Sequence, residues 1–304
     1  MGNRVRVFQV DAFTARRFTG NPAGVVLDAD ALASEDMQAL ARELNNGDTA
    51  FLLRPDATDH DLRARFFTPR REAAFVGHAT LAAHAVLAAL QLEPRRRQKQ
   101  RSGIVEVDSI TGAWPPRIAI HLPPPSLGRA LGEPELSAVL EALTLVRADL
   151  DVRCPPMLAG DSSTRVLLGV EHGTTLARLR PDLARLAALS EQLGAPGYFL
   201  FSRQPSLADV YTEARMFCPA LGIPEDPVSG NAHALLGVYL LHHGLISPPA
   251  AAAPGRTIEF TGAQGHHIGR PGRVTVALSL ERGLLASVSI VGEAVVVFDT
   301  TLEF

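Results

Sequence analysis

The sequence predicts an α+β protein made of two pseudo-symmetric halves, each a mostly antiparallel or mixed sheet wrapped round a central helix. Three observations lead to this fold class. At roughly 100–200 residues per domain, a chain of 304 residues makes two domains. One order of motifs also occurs twice. Arg65-Phe66-Phe67-Thr68-Pro69 followed by Gly77-His78-Ala79 is matched by Arg215-Met216-Phe217-Cys218-Pro219 followed by Gly230-Asn231-Ala232, with three more residues between proline and glycine in the second copy. Upstream, Ala50-Phe51-Leu52-Leu53 is set against Tyr198-Phe199-Leu200-Phe201. Finally, Pro123-Pro124-Pro125 is a stiff segment that neither a helix nor a central strand absorbs. It marks the boundary between an N-terminal half over 1–122 and a C-terminal half over 126–289.

The elements follow in chain order. Alternation over Val5–Val10 and the apolar run Ala23–Leu27 predict two strands, separated by the turn residues Gly20-Asn21-Pro22. Ser34 is expected to cap a helix whose Met37, Leu40, Ala41 and Leu44 share one face, ending near Asn45-Asn46-Gly47. Strands are expected at Ala50–Leu53 and Leu62–Phe67, then a long apolar helix from about Gly77, then strands at Ile104–Val107 and Arg117–Leu122. The basic run Arg95–Arg101 reads as a solvated linker. The second half is expected to hold helices near Glu135–Leu143 and Leu183–Leu193, strands at Arg165–Val170, Tyr198–Phe201 and Glu213–Phe217, and an apolar helix opened by Gly230.

Composition narrows the chemistry. The 29 basic residues comprise 28 arginines and one lysine, Lys99, which lies in the basic run. A pyridoxal Schiff base and a phosphate-binding P-loop both need a placed lysine, so neither is expected. There is no Gly-x-Gly-x-x-Gly after a strand, no His-Glu-x-x-His and no Gly-x-Ser-x-Gly, and the pairs His242-His243 and His266-His267 point apart, so no cofactor and no metal are expected. A formal net charge of −3 argues against a nucleic-acid surface. Two cysteines outside any Cys-x-x-Cys pair, and an N-terminus lacking an apolar signal core, predict a reducing, cytoplasmic setting. The apolar run 73–90 is short for a membrane span and is interrupted by His78, Thr80 and His84, so no membrane association is expected.

Polar residues gather where the repeat opens its helices. Helix amino ends carry unpaired N–H groups and partial positive charge, so Gly77 and Gly230, if the two copies face each other, would hold an anion in the cleft between them. As a second reading, both glycines serve only as turn residues. Asp48 and His78 in the first half, with Asp226 and Asn231 in the second, stand near these points. A partly buried carboxylate with a neighbouring imidazole suits proton transfer. The residues alone leave the alternative open that Asp48 caps its own loop and His78 is a satisfied core histidine.

The stretches Asp11-Ala12-Phe13-Thr14, Phe18-Thr19-Gly20-Asn21-Pro22-Ala23-Gly24-Val25, Thr68-Pro69, Gly77-His78-Ala79-Thr80, Pro224-Glu225-Asp226-Pro227-Val228-Ser229-Gly230 and Gly269-Arg270-Pro271-Gly272 together resemble the phenazine-biosynthesis isomerase (PhzF-like) family, in order from about Val7 to the C-terminus. The resemblance implies a diaminopimelate-epimerase-like fold with the active site between the halves. It also implies a C-terminal strand over about 290–304 that returns to the first half, a homodimer, and cofactor-independent acid–base isomerisation. By resemblance, Asp48 falls on the family's catalytic glutamate, His78 on its cleft histidine beside Gly77, and Asp226 on its second-half aspartate. Two positions depart from the pattern: Asp48 is one methylene shorter than glutamate, and Asn231 stands where a small hydroxyl residue often follows Gly230. Cys154 and Cys218 both lie in the second half, and the first-half counterpart of Cys218 is Thr68, so a two-thiol epimerase is not expected. The expected activity is a proton shift on a small anionic, carboxylate-bearing metabolite, with Asp48 catalytic and Gly77, His78, Asp226, Gly230 and Asn231 binding substrate. The competing reading is a non-catalytic small-acid binding or regulatory protein on the same fold.

Overall fold

A computed structural model describes residues 4–91, 95–110, 115–160, 164–247 and 256–303. Residues 1–3, the start of the segment expected to lack a signal core, lie outside these. The chain divides into two compact units, Met1–Leu122 with Ile290–Phe304, and Pro123–Ser289.

The first unit comprises β1 (Arg4–Ala12), β2 (Asn21–Leu27), α1 (Ser34–Leu44), β3 (Asp48–Leu53), β4 (Leu62–Phe67), the two-residue β5 (Glu72–Ala73), α2 (Gly77–Ala89), β6 (Arg95–Gln100), β7 (Gly103–Ile110) and β8 (Arg117–Leu122). Its sheet is mixed. β1 pairs antiparallel with β2, β2 parallel with β3, β3 antiparallel with β4, β4 parallel with β6, and β6, β7 and β8 run antiparallel. α2 is apolar on every side, the pattern of a helix enclosed by its neighbours, and it packs on β1, β2, β3, β7 and β8.

The second unit comprises β9 (Leu127–Ala130), α3 (Glu133–Ala142), β10 (Met157–Ala159), β11 (Arg165–Val170), α4 (Gly173–Arg178), α5 (Leu183–Leu193), β12 (Gly197–Ser202), β13 (Thr212–Cys218), β14 (Ile223–Asp226), α6 (Gly230–His242), β15 (Arg256–Gln264) and β16 (Gly272–Glu281). Here β10 pairs antiparallel with β11, β11 parallel with β12, β12 antiparallel with β13, β13 parallel with β15, and β15 antiparallel with β16. This is the same succession of pairings as in the first unit. α6, like α2, has 13 residues and is apolar all round. α3 and α5 cover the other side of the sheet, where Leu136, Val139, Leu140, Leu186 and Tyr198 share one core. The final strand, β17 (Leu284–Glu303), pairs antiparallel with β1 from Ala294 to Glu303.

Three expectations are corrected. The helix begins at Ser34 rather than being capped by it: Ala33 is the cap, without a side-chain bond, and Ser34 Oγ instead accepts from Arg65 Nη2 at 3.1 Å. The run Arg95–Arg101 is no linker, because Arg95–Gln100 is β6, paired on both sides. Its period of two is written in polar residues. Gln98 and Gln100 point inward and are buried, while the alternate Arg97 and Lys99 pair with Asp61 and Asp56. The repeat is also one rung out of register: Arg65 lies opposite Phe51 and Arg215 opposite Leu200. Ala50 therefore corresponds to Phe199 rather than Tyr198, and Asp48 corresponds to Gly197. In a ladder of period two, that slip exchanges inward for outward side chains.

Candidate active site

In the first unit, α1 ends at Asn45, whose left-handed backbone (φ 51°) turns the chain back toward the sheet. Asn46 then exchanges two amide hydrogen bonds with Gln9 of β1, at 3.0 and 2.8 Å, and this clamp delivers Asp48 as the first residue of β3. Gly24 packs closely beside it. A β-carbon there would lie 2.8 Å from Thr49 Oγ1 and 2.9 Å from Leu44 Cδ1, so a side chain would force Thr49 and Leu44 to shift.

His78 sits in the first turn of α2, whose cap, Val76, supplies no side-chain acceptor. Its Nε2 lies 3.8 Å from Asp48 Oδ2, within ion-pair range but beyond a direct hydrogen bond, and the two side chains are only 12% and 13% exposed. Burial pushes the His78 pKa down to about 4, so the imidazole is neutral at physiological pH. The first unit thus brings together Asp48, His78 and the amino end of α2 at Gly77. A carboxylate beside a neutral imidazole and free helix N–H groups can move a proton, orient a substrate and hold an anion.

The second unit brings together Asp226, Gly230 and Asn231. Asp226 ends β14, and its carbonyl accepts from Gln264 Nε2 at 2.7 Å. The same Gln264, fully buried on β15, accepts from Ser229 N–H through Oε1 at 3.1 Å. One amide thereby ties both ends of the Asp226–Ser229 segment. Ser229 caps α6 by accepting from Ala232 N–H. Asn231 is half-buried at the second position of α6. Gly265, at φ +86°, lets the 265–270 turn close on this segment: a β-carbon there would fall 2.2 Å from Arg270 O and 2.7 Å from Pro227 O.

Residues 10–300 match the model of the phenazine biosynthesis-like protein family. The chain belongs to this family. It is 36% identical over 304 residues to an uncharacterized isomerase of Clostridium acetobutylicum, covering 99% of both chains. It superimposes with a TM-score of 0.85 on the Bacillus anthracis phenazine biosynthesis protein of the PhzF family, at 27% identity over 99% of each chain. The likeness to a hydroxyproline epimerase of Agrobacterium vitis, TM-score 0.62 at 13% identity over 100% of this chain and 94% of that one, concerns the fold alone and marks it as α+β and epimerase-like. The relatives place this family member in the isomerase class of enzymes.

Other motif residues of the family are structural here. Asp11 Oδ2 accepts from Phe18 N–H at 2.6 Å, and Thr14 and Thr19 share a hydrogen bond of 2.6 Å, so these residues shape the turn between β1 and β2. Gly269 and Gly272 serve the 265–272 turn. Arg65 and Arg215 each stack on a phenylalanine two residues on and fork onto a glutamate, Glu72 and Glu225 respectively. Gln9, Asn46 and Gln264, which hold the segments carrying Asp48 and Asp226, carried no signal in the sequence as site neighbours. Both cysteines are free and buried; burial pushes Cys218 up to about 12 and Cys154 up to about 11. Among the described residues no group of three or more His, Cys, Asp or Glu side chains is disposed to hold a metal ion, and no helix is long and apolar enough to cross a membrane.

Proposed function

We infer that this family member is a cofactor-independent isomerase that shifts a proton within a small carboxylate-bearing metabolite. The observation that carries the reading is the Asp48 carboxylate, nearly enclosed and 3.8 Å from a neutral imidazole at the start of α2. The Asp48 carboxylate takes a proton from a carbon adjacent to a double bond. The electron pair left behind becomes the new double bond, the old one opens, and the proton returns at its far carbon. Nothing is consumed, and no electron acceptor is needed. His78, neutral, donates or accepts one hydrogen bond and orients the substrate. The backbone N–H groups at Gly77 and Gly230 bind its anionic group, and Asp226 and Asn231 take its remaining polar groups. General acid–base transfer of this kind contributes about 10²–10⁴-fold to a rate.

The reading includes two pseudo-symmetric halves, supported by the shared succession of strand pairings, and a cytoplasmic homodimer. Light scattering at twice the monomer mass checks the dimer; a monomer contradicts it. The retained ionisable carboxylate at Asp48 favours catalysis over simple binding. To test the activity, protein stripped with EDTA and dialysed is incubated in deuterated water with a panel of small unsaturated cyclic carboxylic acids, and C–H exchange is followed by NMR. Exchange without any added cofactor is expected. Exchange that requires an added metal or cofactor, or none across the panel, contradicts the reading.

A further inference from the structure

Unpaired positive charge collects at one end of the first unit's sheet. β2 and β3 run parallel from Asn21 and Asp48, and β4 runs back antiparallel to Phe67, opposite Thr49. The turn between β1 and β2, the last turn of α1 and the turn after β4 therefore all lie at the Asp48 end. They carry Arg16 and Arg17, Arg42, and Arg70 and Arg71 respectively. All five are exposed, and none forms an ion pair with a described residue. Ordered turns hold them. Arg17 Nε donates to Val296 O at 2.9 Å, and the backbone N–H groups of Arg70 and Arg71 donate to Thr68 Oγ1 at 3.1 and 3.0 Å. Gln38 Nε2 donates to Thr68 O at 2.8 Å and ties this last turn to α1. The acids at this end are fewer: Glu43, Asp48 and the buried Asp11, while Glu72 is already taken by Arg65. Elsewhere on the unit Arg54, Arg63, Arg97 and Lys99 are each paired with an aspartate. In the second unit the corresponding last turn of α5, Ser190–Leu193, and the turn Pro219–Gly222 hold no cation.

Charge acts over distances that contacts do not. The Debye length is about 8 Å at physiological ionic strength, so clustered exposed cations keep a field over a neighbouring site even in a chain whose formal net charge is −3. We propose that Arg16, Arg17, Arg42, Arg70 and Arg71 form an electropositive collar that steers a small anionic substrate to the Asp48 end of the first unit. The proposal rests on the reading that the substrate is a small carboxylic acid. It adds the route of capture: the collar raises the local concentration of anions, and supplies neither the final binding contacts nor the proton transfer. Five guanidiniums spread over three connections suit a diffuse field better than one bidentate seat. Beyond the collar the net negative chain repels a long polyanion, which favours a small anion over nucleic acid.

A reporter thiol reads this field without any substrate. Gly47 is exposed and next to Asp48, and a β-carbon there meets nothing within 4 Å, so Gly47→Cys should fold; the native Cys154 and Cys218 are buried. In the full chain, the alkylation rate with anionic iodoacetate is divided by that with neutral iodoacetamide, so that the thiolate fraction cancels. For an isolated thiolate this ratio rises with salt, because like charges are screened. Beside the collar it is expected to fall about tenfold between ionic strengths of about 0.01 M and about 1 M, where the Debye length shrinks from about 30 to about 3 Å. Arg16→Gln with Arg17→Gln, Arg42→Gln, and Arg70→Gln with Arg71→Gln should each lower the low-salt ratio, by about tenfold when combined. Thermal melts show which variants fold, and each connection can be read without the others. With a panel acid that the native protein exchanges, the same variants should lower kcat/KM at low salt and leave kcat unchanged. Folded variants that keep the native ratio and kcat/KM overturn the collar and leave the proton-shift reading standing. Retention of the native protein on heparin at physiological salt, lost in the variants, gives these cations to a polyanion and also overturns the proposal. The expected ratios on a protein that exchanges none of the acids overturn the small-acid reading, and the steering role with it.

Discussion

The two units repeat one succession of strand pairings around one type of helix, yet their equivalent positions hold different chemistry. Where the first unit has the carboxylate of Asp48, the second has Gly197 overlaid by Arg165. Where the first has His78 after its helix-opening glycine, the second has Asn231. The difference extends into the core. In the first unit the small Thr80 of α2 faces the large Gln98 of β6, which also bonds His84 at 3.0 Å. In the second, the large His233 of α6 faces Gly262 of β15, where a β-carbon would lie 2.4 Å from the ring. Bulk is traded between helix and strand, so that the space is filled in both. A repeated scaffold constrains backbone and volume, and leaves the charge at each rung free to specialise.

The largest effect should come from setting the two aspartates against each other. Asp48→Asn is expected to lower C–H exchange by about 10²–10⁴-fold, the range of a lost general base. Asp226→Asn should chiefly weaken substrate binding, by about tenfold, the loss of one hydrogen-bonded polar contact. The reverse ranking would move the proton-transferring group to the second unit.

Gln264→Leu should destabilise the protein by about 2 kcal/mol in urea unfolding, because it strands the Ser229 N–H and the Asp226 carbonyl together. Its first-unit analogue in purpose is the Gln9–Asn46 clamp. Gln9→Ala should cost exchange rate more than stability, since displacing a reacting group by ~1 Å can cost about 100-fold. An unchanged rate in Gln9→Ala would show that Asp48 is held by β3 alone.

His78 in the first unit and His233 in the second are buried histidines whose pKa lies near 4, both through desolvation. The unfolded chain binds these protons at an ordinary histidine pKa of about 6.5, so between there and about 4 it holds more protons than the folded one. Stability should therefore be full above that window and fall as pH drops through it. Melting temperatures measured from pH 7 to pH 4 check this, and His78→Asn or His233→Asn should each flatten part of the slope. The smallest effect is expected at Cys218. Its thiol is neutral at working pH, so iodoacetamide at pH 7.5 should modify it slowly in the folded protein.

Much of the scaffold was legible because apolar periodicity carries it. Gly77 and Gly230 open α2 and α6 as the apolar runs indicated, and the Arg-x-Phe strands were visible from their own repeat. β6 was not, because its alternation is between arginine or lysine and glutamine, and hydropathy does not separate an inward amide from an outward charge. The one-rung slip between the repeats arose because β3 and β12 are apolar and buried almost throughout, so side-chain type gave no register; only pairing with Arg65 and Arg215 did. Asp48 and His78 were legible by motif. Gln9 and Gln264, which hold the segments leading to Asp48 and following Asp226, were not, since each meets its neighbour across a long stretch of chain and belongs to no local pattern.

The most direct test of a proton carrier confined to the first unit is chemical rescue. Asp48→Gly removes the carboxylate and leaves a small space at the head of β3 for an added one. In deuterated water, with a carboxylic acid that the native enzyme exchanges, this variant is expected to show background exchange that rises with added formate. Acetamide, which lacks the charge, should restore nothing. Exchange by Asp48→Gly at the native rate without formate would contradict the account, because the proton would then be carried by another group.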